Sequence, residues 1–395
     1  MKDALTQWGI TPTIMYDGDI ASNLAGGVRR GTTYLGNVHF QLSLDGDRLL
    51  GWPGVSVFLD GLGIHGGQPS RFVGDAQGVS NIAGPTGFKL YEAWVQYNFL
   101  GARLSALGGL YDLNSEFYRL QSAGLFLNSS FGIGPEFAQS GTAGPSIFPD
   151  TSVGLRLAYK PAPDTVLRGA VLDGVPLNRP DASTGAFERG DGLLLVGEAA
   201  FLERPAQSPQ PMGPRFRIGR ASGLPPYDDK LAIGAWYYTA KFSDQSEISP
   251  DGHPAQHRGS GGAYLIADRL LFQAADNPAR RLNAFLQAGI GDERVDRFGS
   301  YIGAGLAAAG FVPSRANDEM GFAVAAGRNG SHYVSAQTQQ GAAVNGAEVA
   351  LELTYLAQIT DWLALQPDAQ YVIHPNTDPA LKNALVFQFQ FEMSF

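Results

Sequence analysis

The last twelve residues of the chain alternate between apolar and polar positions. Leucine, phenylalanine or methionine occupies every second position from Leu385 to Phe395, and Gln388, Gln390 and Glu392 lie between them. Because successive side chains of a strand point to opposite faces, this pattern predicts a strand with one apolar and one polar face. A strand of this length can cross a bilayer at a tilt, and a closed barrel leaves no apolar edge exposed. The segment therefore predicts the last strand of a transmembrane β-barrel, with its polar face toward the pore.

Segments of similar character recur along the whole chain. Together with the last one they predict sixteen strands, at 9–17, 34–45, 54–62, 88–98, 103–112, 151–160, 165–173, 192–202, 229–241, 260–271, 281–291, 298–309, 318–328, 347–359, 363–373 and 384–395. We therefore assign the chain to the all-β class, as a single antiparallel transmembrane β-barrel domain over residues 1–395.

The links between the predicted strands fall into two classes. The short links are 46–53, 99–102, 161–164, 272–280 and 360–362, and the long ones between them are 63–87, 113–150, 174–191, 242–259 and 329–346. Short periplasmic turns that alternate with long external loops are typical of outer-membrane barrels.

One link does not follow this alternation. The proline-rich link 203–228 would have to lie on the short side, although it is long. Within it, Arg215–Ile218 has the character of a strand by itself. If that segment crosses the membrane, the strand count rises to eighteen, which we keep as the alternative.

Charged residues within the clearest strands share one face. In 347–359, Glu348 and Glu352 oppose Val349, Leu351 and Leu353. An arginine or lysine on the lipid face near mid-membrane costs about 2–4 kcal/mol, so charges are expected to face the lumen. The pattern meets that expectation.

The composition narrows the classes of function. The chain has no cysteine, which excludes disulfides and thiolate metal sites, and its net charge of −9 argues against a nucleic-acid partner. No apolar run is long enough for a helical membrane span. His253 and His257 have a spacing found in metal sites but lie among Pro, Gly and Asp, so solvated loop histidines are expected. No metal site, cofactor or catalytic residue is predicted. The G-x-S-x-G elbow of hydrolases is not present in the sequence. Gly61–Gly66 matches the nucleotide-binding pattern G-x-G-x-x-G, but Gly-Gln-Pro follows it where a helix is required.

A short motif near the C-terminus identifies a resemblance. Residues 362–371, W-L-A-L-Q-P-D-A-Q-Y, followed by His374-Pro375, resemble the signature of carbohydrate-selective outer-membrane porins, the OprB family. Stretches similar to the same family occur at Trp52–Gly54, Tyr111–Phe117, Asn128–Gly132 and Leu351–Tyr355. The resemblance implies a sixteen-stranded barrel with inward-folded extracellular loops, surrounded by outer-membrane lipid, that lets sugars diffuse passively. It also implies that Phe395 is the C-terminal signal read by the outer-membrane assembly machinery.

The longest link is the candidate constriction loop. Segment 113–150 follows the fifth strand and carries Asn114, Glu116 and Arg119 among its polar residues. A loop folded into the lumen would narrow the channel and set its selectivity. Its phenylalanine and leucine residues favour a packed loop, although an ordinary external loop is the alternative.

The predicted strands supply further candidates for the pore lining. Sugar passage needs exchangeable hydrogen bonds and an apolar surface for the pyranose ring, which carboxylate–arginine pairs and aromatic side chains provide. By strand parity the candidates are Glu92, Trp94, Arg156, Arg168, Trp236, Asp368 and Gln370. Each has a structural alternative: an aromatic girdle for the two tryptophans, a lumen ion pair for the two arginines, and loop attachment for Asp368 and Gln370.

The leading hypothesis is an outer-membrane porin for mono- or oligosaccharides, as a monomer or a homotrimer. A general, non-selective porin is the first alternative. An outer-membrane barrel hydrolase and a soluble β-sandwich lectin are more distant ones.

Overall fold

The computed structural model describes residues 2–177, 185–203 and 227–395. Within them the chain forms sixteen strands: β1 (Ile10–Gly27), β2 (Gly31–Asp45), β3 (Val55–Gly66), β4 (Gly87–Phe99), β5 (Leu104–Tyr111), β6 (Ser152–Ala162), β7 (Thr165–Asp173), β8 (Leu193–Glu203), β9 (Asp229–Ile248), β10 (Pro254–Gln273), β11 (Arg281–Ile290), β12 (Phe298–Ala309), β13 (Glu319–Asn329), β14 (Ala347–Thr360), β15 (Leu363–Ile373) and β16 (Lys382–Ser394).

The helices are short. The α-helices are α1 (Lys2–Gln7), α2 (Gly46–Leu50), α3 (Ser70–Val73), α4 (Pro135–Ala138) and α5 (Ser331–Gln339), and 3₁₀ turns occur at Leu113–Ser115, Ala123–Leu125, Ser129–Phe131 and Pro375–Thr377. In the part of the chain that the structure describes, no helix is both long and apolar enough to cross a membrane.

The strands form one closed barrel. Each strand pairs antiparallel with its neighbour in sequence, and β1 closes the barrel against β16, with Tyr16 opposite Met393 and Ile20 opposite Phe389. The prediction of a sixteen-stranded antiparallel barrel is confirmed. The segment Arg215–Ile218, on which the eighteen-strand alternative rests, lies outside the described residues.

Two strand pairs extend further than the sequence pattern indicates. The predicted long link 242–259 is wrong, because β9 continues to Ile248 and β10 begins at Pro254. Polar residues there continue the alternation beyond the apolar segment, so the hairpin is long and its link is short. Similarly β1 runs to Gly27, well past the predicted end at 17, through a stretch rich in small and polar residues.

The two faces of each strand have the predicted character. In β16, Phe387 is 44% exposed on the outer surface, whereas Gln388 is fully buried toward the lumen. The same division holds for β14, where Leu353 is 60% exposed and Glu352 is buried. An apolar outer surface and a polar inner wall are the arrangement that a lipid bilayer requires.

The two ends of the barrel differ. One end, the turn end, carries the links that include 46–54, 100–103, 163–164 and 361–362, together with both chain termini. There the Phe395 ring stacks on Trp362, with ring centroids 5.9 Å apart, and the Phe395 N–H donates to the Ile14 carbonyl at 2.9 Å. The other end, the loop end, carries the segments 67–86 and 112–151, and both of these fold back into the barrel.

Candidate functional site

Residues 112–151, the long loop, fill much of one side of the barrel interior. Tyr118, Phe126, Phe131 and Phe137 within it are almost completely buried. Phe126 packs against Phe285 of β11 with ring centroids 5.6 Å apart. These apolar side chains join inward-facing residues of β3 to β5 and of β7 to β15, most of them on β7 to β12, in a single hydrophobic cluster. The loop is therefore a packed part of the interior, in contrast to the external loop that the sequence left as an alternative.

Local hydrogen bonds shape the long loop. The Asp112 carboxylate accepts the Asn114 N–H at 2.8 Å, which caps the first 3₁₀ turn. In the same way, the Asn128 side chain accepts the Ser130 N–H at 3.1 Å at the start of another. Asp and Asn favour such positions because their short side chains satisfy backbone donors at the start of a turn.

Carboxylates of the barrel wall hold the long loop by its backbone. Glu352 of β14 accepts the N–H groups of Leu127 and Asn128 at 2.5 and 2.9 Å. On another part of the wall, Asp268 of β10 accepts both the N–H and the hydroxyl of Ser122. Charged acceptors make stronger hydrogen bonds than neutral ones, so these wall residues fix the position of the loop.

Residues 67–86, the second inward segment, cross to the wall formed by β14, β15 and β16. Glu348 of β14 accepts the Ala76 N–H at Oε2 and the Gln77 N–H at Oε1, at 2.8 and 2.9 Å. The Val79 carbonyl accepts the side-chain amides of Gln370 and Gln388 at 2.8 and 2.7 Å. The sequence predicts this segment as a long link but gives no signal that it folds inward.

A cavity of about 160 Å³ lies between the two inward segments and the wall near β16 and β1. This cavity is the candidate passage. Its polar lining comes from the wall, the second inward segment and the long loop, and three aromatic side chains complete it. The polar residues are Asp17, Asn81, Asp112, Asn114, Arg119, Asn128, Gln390 and Glu392, and the aromatic ones are Tyr91, Phe126 and Phe148.

Two of the predicted site residues line the candidate passage. Asn114 and Arg119 both reach it from the long loop. The Arg119 backbone is held from the opposite side, where the Lys230 ammonium group of β9 donates to the Arg119 carbonyl at 2.7 Å. Gln390 and Glu392 line it from the polar face of β16, which the sequence predicts as pore wall.

The predicted arginines of the wall form buried ion pairs. The Arg156 guanidinium lies 2.6 Å from the Glu116 carboxylate and joins β6 to the long loop. Arg168 of β7 pairs with Glu198 of β8 at 3.0 Å. Neither arginine belongs to the lining of the candidate passage, and Glu116 does not belong to it either. Their contacts are those of ion pairs within the lumen.

Neither predicted tryptophan belongs to an aromatic girdle, since both indoles are buried inside the barrel. Trp236 stacks beneath Phe137 of the long loop, and Trp94 packs against Phe58 with ring centroids 5.3 Å apart. The Trp94 indole N–H donates to Glu92, which also accepts the Asp112 N–H, each at 3.1 Å. Trp94 and Glu92 thus support the start of the long loop from behind.

Asp368 and Gln370 take the alternative role of loop attachment. The Gln370 side chain accepts the Asn128 amide at 3.1 Å, and its own amide donates both to Val79 and to Asp368. These two signature residues therefore hold the long loop and the second inward segment to β15.

Several residues of the lining were not predicted from the sequence. Asp17, Tyr91 and Asn81 reach the candidate passage from β1, β4 and the second inward segment. Alternation within β1 gives a signal for Asp17, because it shares the inward face with Asp19. No local pattern identifies Asn81, because its position depends on how a long segment folds across the barrel.

Burial sets the protonation of two carboxyl groups in the long loop. Burial raises the pKa of Asp112 to about 6, although hydrogen bonds from the Tyr91 hydroxyl and the Asn114 N–H, and the charge of Arg119, oppose the shift. Burial also raises the pKa of Glu136 to about 7, and the hydrogen bond from the Tyr118 hydroxyl opposes this shift only partly. In both cases burial disfavours the charged form, so each group loses its proton at a higher pH than an exposed carboxyl group does.

A histidine–carboxylate cluster lies at the loop end, apart from the candidate passage. His257 was expected to be solvated but lies in β10, where its Nε2 is 2.8 Å from Asp244. Asp244, Glu247 and His332 are the described residues whose ligand atoms converge within 4.8 Å, close enough to hold a metal ion. The Asp244 carboxylate already accepts two backbone N–H groups and contacts both imidazoles, so hydrogen bonding accounts for this arrangement.

Comparison with known proteins finds relatives that span the chain. Porin B of Pseudomonas aeruginosa is 23% identical over 428 residues, which cover 100% of this chain and 89% of the relative. The high-pH structure of Pseudomonas putida OprB matches with a TM-score of 0.83 at 20% identity, covering 100% of this chain and 96% of the other. The outer membrane channel DcaP of Acinetobacter baumannii matches with a TM-score of 0.55 at 11% identity, covering 98% and 97%. These structures share the barrel fold.

A family model decides the assignment. The model described as carbohydrate-selective porin, OprB family, matches residues 29–395. That range contains fifteen complete strands and both inward segments. The chain therefore belongs to the carbohydrate-selective porins of the OprB family, which are outer-membrane proteins of Gram-negative bacteria.

Proposed function

We propose that mono- or oligosaccharides diffuse through this barrel by way of the candidate passage, between the long loop and the wall near β16 and β1. The observation that carries the proposal is the mixed lining of that passage. Donors and acceptors stand beside aromatic rings within one cavity. A sugar presents hydroxyl groups at its rim and C–H groups on the faces of its ring, so it needs both kinds of surface.

The polar lining offers a sugar several weak partners rather than one strong one. Arg119 and Asn128 supply donors, while Asp17, Glu392 and the side-chain oxygen of Asn114 supply acceptors. Exchange between such partners lets a solute enter and leave without a deep energy well. Tyr91, Phe126 and Phe148 supply the apolar surface.

The long loop would act as the constriction. Its apolar residues occupy the space beside β7 to β12, so solutes are directed to the polar side of the lumen. A sixteen-stranded barrel otherwise encloses a wide aqueous channel. We assign the selectivity to this narrowing, and to Asn114 and Arg119 as the predicted site residues that remain in the lining.

Passive diffusion needs no catalytic group, and we assign none to the lining. At the turn end, Phe395 is 57% exposed, which supports its proposed role as the signal for the outer-membrane assembly machinery.

Single-channel recording in planar bilayers tests the proposal. We expect a stable open current that mono- or oligosaccharides block reversibly, with a block that saturates as the sugar concentration rises. An open current that no sugar reduces would overturn sugar selectivity and leave a general porin. No channel activity from folded protein would overturn the proposal as a whole.

A further inference from the structure

Buried basic side chains are distributed unevenly around the lumen. Among the described residues, the buried arginines and lysines are Arg156, Arg168, Lys230 and Arg281, all of which lie on strands between β6 and β11. Each of them lies within 4 Å of a carboxylate. The buried arginines and lysines therefore lie on the side that carries the long loop, and each is paired there with a carboxylate. Lys89 of β4, whose side chain is largely buried, is likewise paired, with Asp150 of the long loop at 2.5 Å.

The opposite side of the wall is acidic. The consecutive strands β15, β16, β1, β2 and β3 present an acidic wall, which we define as Asp17, Asp19, Asp60, Asp368 and Glu392. In the described chain, no buried arginine or lysine lies on these five strands. His39 of β2 is buried beside this wall and is hydrogen-bonded to Asp60 at 2.9 Å.

The candidate passage runs along this acidic wall. Two of its members, Asp17 and Glu392, line the cavity, and Asp112 adds a third carboxyl group from the long loop. Arg119 is the basic residue of the described lining. With Asp112 set against the Arg119 guanidinium, the wall carboxylates Asp17 and Glu392 leave an excess of negative charge at the point where a solute must pass.

Narrow, low-dielectric surroundings increase the effect of such an excess. Walls of low dielectric constant focus the field of lining charges into the aqueous channel, which raises the local concentration of oppositely charged solutes. Rings of aspartate and glutamate are the device by which cation channels select their ions. The Ser80 hydroxyl donates to Asp19 at 2.9 Å and holds this carboxylate in position without adding a positive charge.

We infer that the passage selects by charge: it admits neutral and cationic solutes, including amino sugars, and rejects anionic sugar acids. The inference deepens the proposed function, on which its statement about sugars rests. Its statement about charge applies equally to small inorganic ions and can be tested without any sugar. Asp17 and Glu392 are the residues to which we assign the selectivity.

Ion selectivity tests the charge statement directly. The reversal potential of the channel is measured across a KCl gradient at pH 7, for the wild type and for the double variant D17N/E392Q. We expect a cation-selective wild type, and about a threefold or larger fall in the ratio of K⁺ to Cl⁻ permeability in the variant. As a matched control, D47N/D251N removes two exposed carboxylates outside the passage and should leave the ratio unchanged.

Two outcomes would overturn the charge statement. A wild type that is anion-selective or non-selective contradicts it, and this measurement does not depend on whether any variant folds. A folded D17N/E392Q protein with the wild-type permeability ratio would show that these residues do not set selectivity. Folding is checked by resistance of the barrel to unfolding by detergent at room temperature.

A solute series separates this inference from the proposed function. Uptake of labelled glucose, glucosamine and gluconate into proteoliposomes compares three solutes of similar size and different charge. We expect glucose and glucosamine to enter at least severalfold faster than gluconate. Equal rates for glucose and gluconate would overturn the inference and leave the sugar porin. Cation selectivity without uptake of glucose would overturn the proposed function and leave the charge statement.

Discussion

The Phe137 ring stacks on the Trp236 indole with ring centroids 4.2 Å apart and an angle of 12° between their planes. Phe137 belongs to the long loop and Trp236 to β9, so this stack joins the loop to the barrel wall. Both side chains are almost completely buried. The contact belongs to the apolar packing that keeps the loop inside the lumen and leaves the polar side open.

Replacing Phe137 by alanine should therefore loosen the long loop. Loss of a buried phenyl ring costs about 3–5 kcal/mol in a packed interior. We expect larger current fluctuations and a higher mean conductance in planar bilayers. The control is Phe322→Ala, which removes a ring of the same size from the outer surface. Unchanged noise and conductance in Phe137→Ala would show that the stack does not hold the loop.

Replacing Arg119 by alanine should widen the candidate passage. The side chain lines the cavity and supplies donors for sugar hydroxyls, so we expect a higher conductance and weaker sugar block. Arg103→Ala serves as the control, since Arg103 is exposed at the turn end and bonds only carbonyl groups there. The same conductance and the same block in Arg119→Ala would place this side chain outside the solute path.

Replacing Glu352 by alanine should release the middle of the long loop. The backbone N–H groups of Leu127 and Asn128 lose their acceptor, and each buried donor without a partner costs about 1–3 kcal/mol. We expect a lower temperature of barrel unfolding and faster proteolysis within the loop. Asp251→Asn, in the exposed link after β9, should change neither. A wild-type unfolding temperature in Glu352→Ala would contradict the assigned role.

Glu136 should make the barrel less stable as the pH rises. Burial raises its pKa to about 7, so the folded protein binds a proton that an unfolded chain releases at lower pH. The contribution of Glu136 to the stability of the fold is complete below the pKa that this group has in the unfolded chain. It is lost as the pH rises through the pKa that the group has in the folded protein. We expect the unfolding temperature to fall between pH 5 and pH 8, and to fall less in Glu136→Gln. An equal fall in both proteins would assign the dependence to other groups.

The fold could be predicted largely from the sequence because the membrane imposes a local rule. Every strand that crosses the bilayer must place apolar residues outward, so alternation of the kind seen from Leu385 to Phe395 marks each crossing. Beyond the bilayer this constraint ends, and for that reason the extensions of β1, β9 and β10 were missed. The polar face of β16 was identified correctly as wall.

The site could be predicted only in part. Candidates chosen by strand parity, such as Arg156, Arg168 and Trp236, do face inward, but the long loop covers them. Which part of the wall stays open depends on contacts between residues far apart in sequence, such as Asn128 with Gln370. No local pattern encodes those contacts, so Asn81 became apparent only from the folded chain.

Permeation of sugars relative to other small solutes tests the central claim most directly. Liposomes that contain the folded protein are exposed to a panel of mono- and oligosaccharides and to amino acids of similar size, and the rate of swelling is measured. A selective sugar passage predicts faster swelling with the sugars than with the neutral amino acids of matched size. Equal rates for sugars and amino acids would contradict it and leave a general porin.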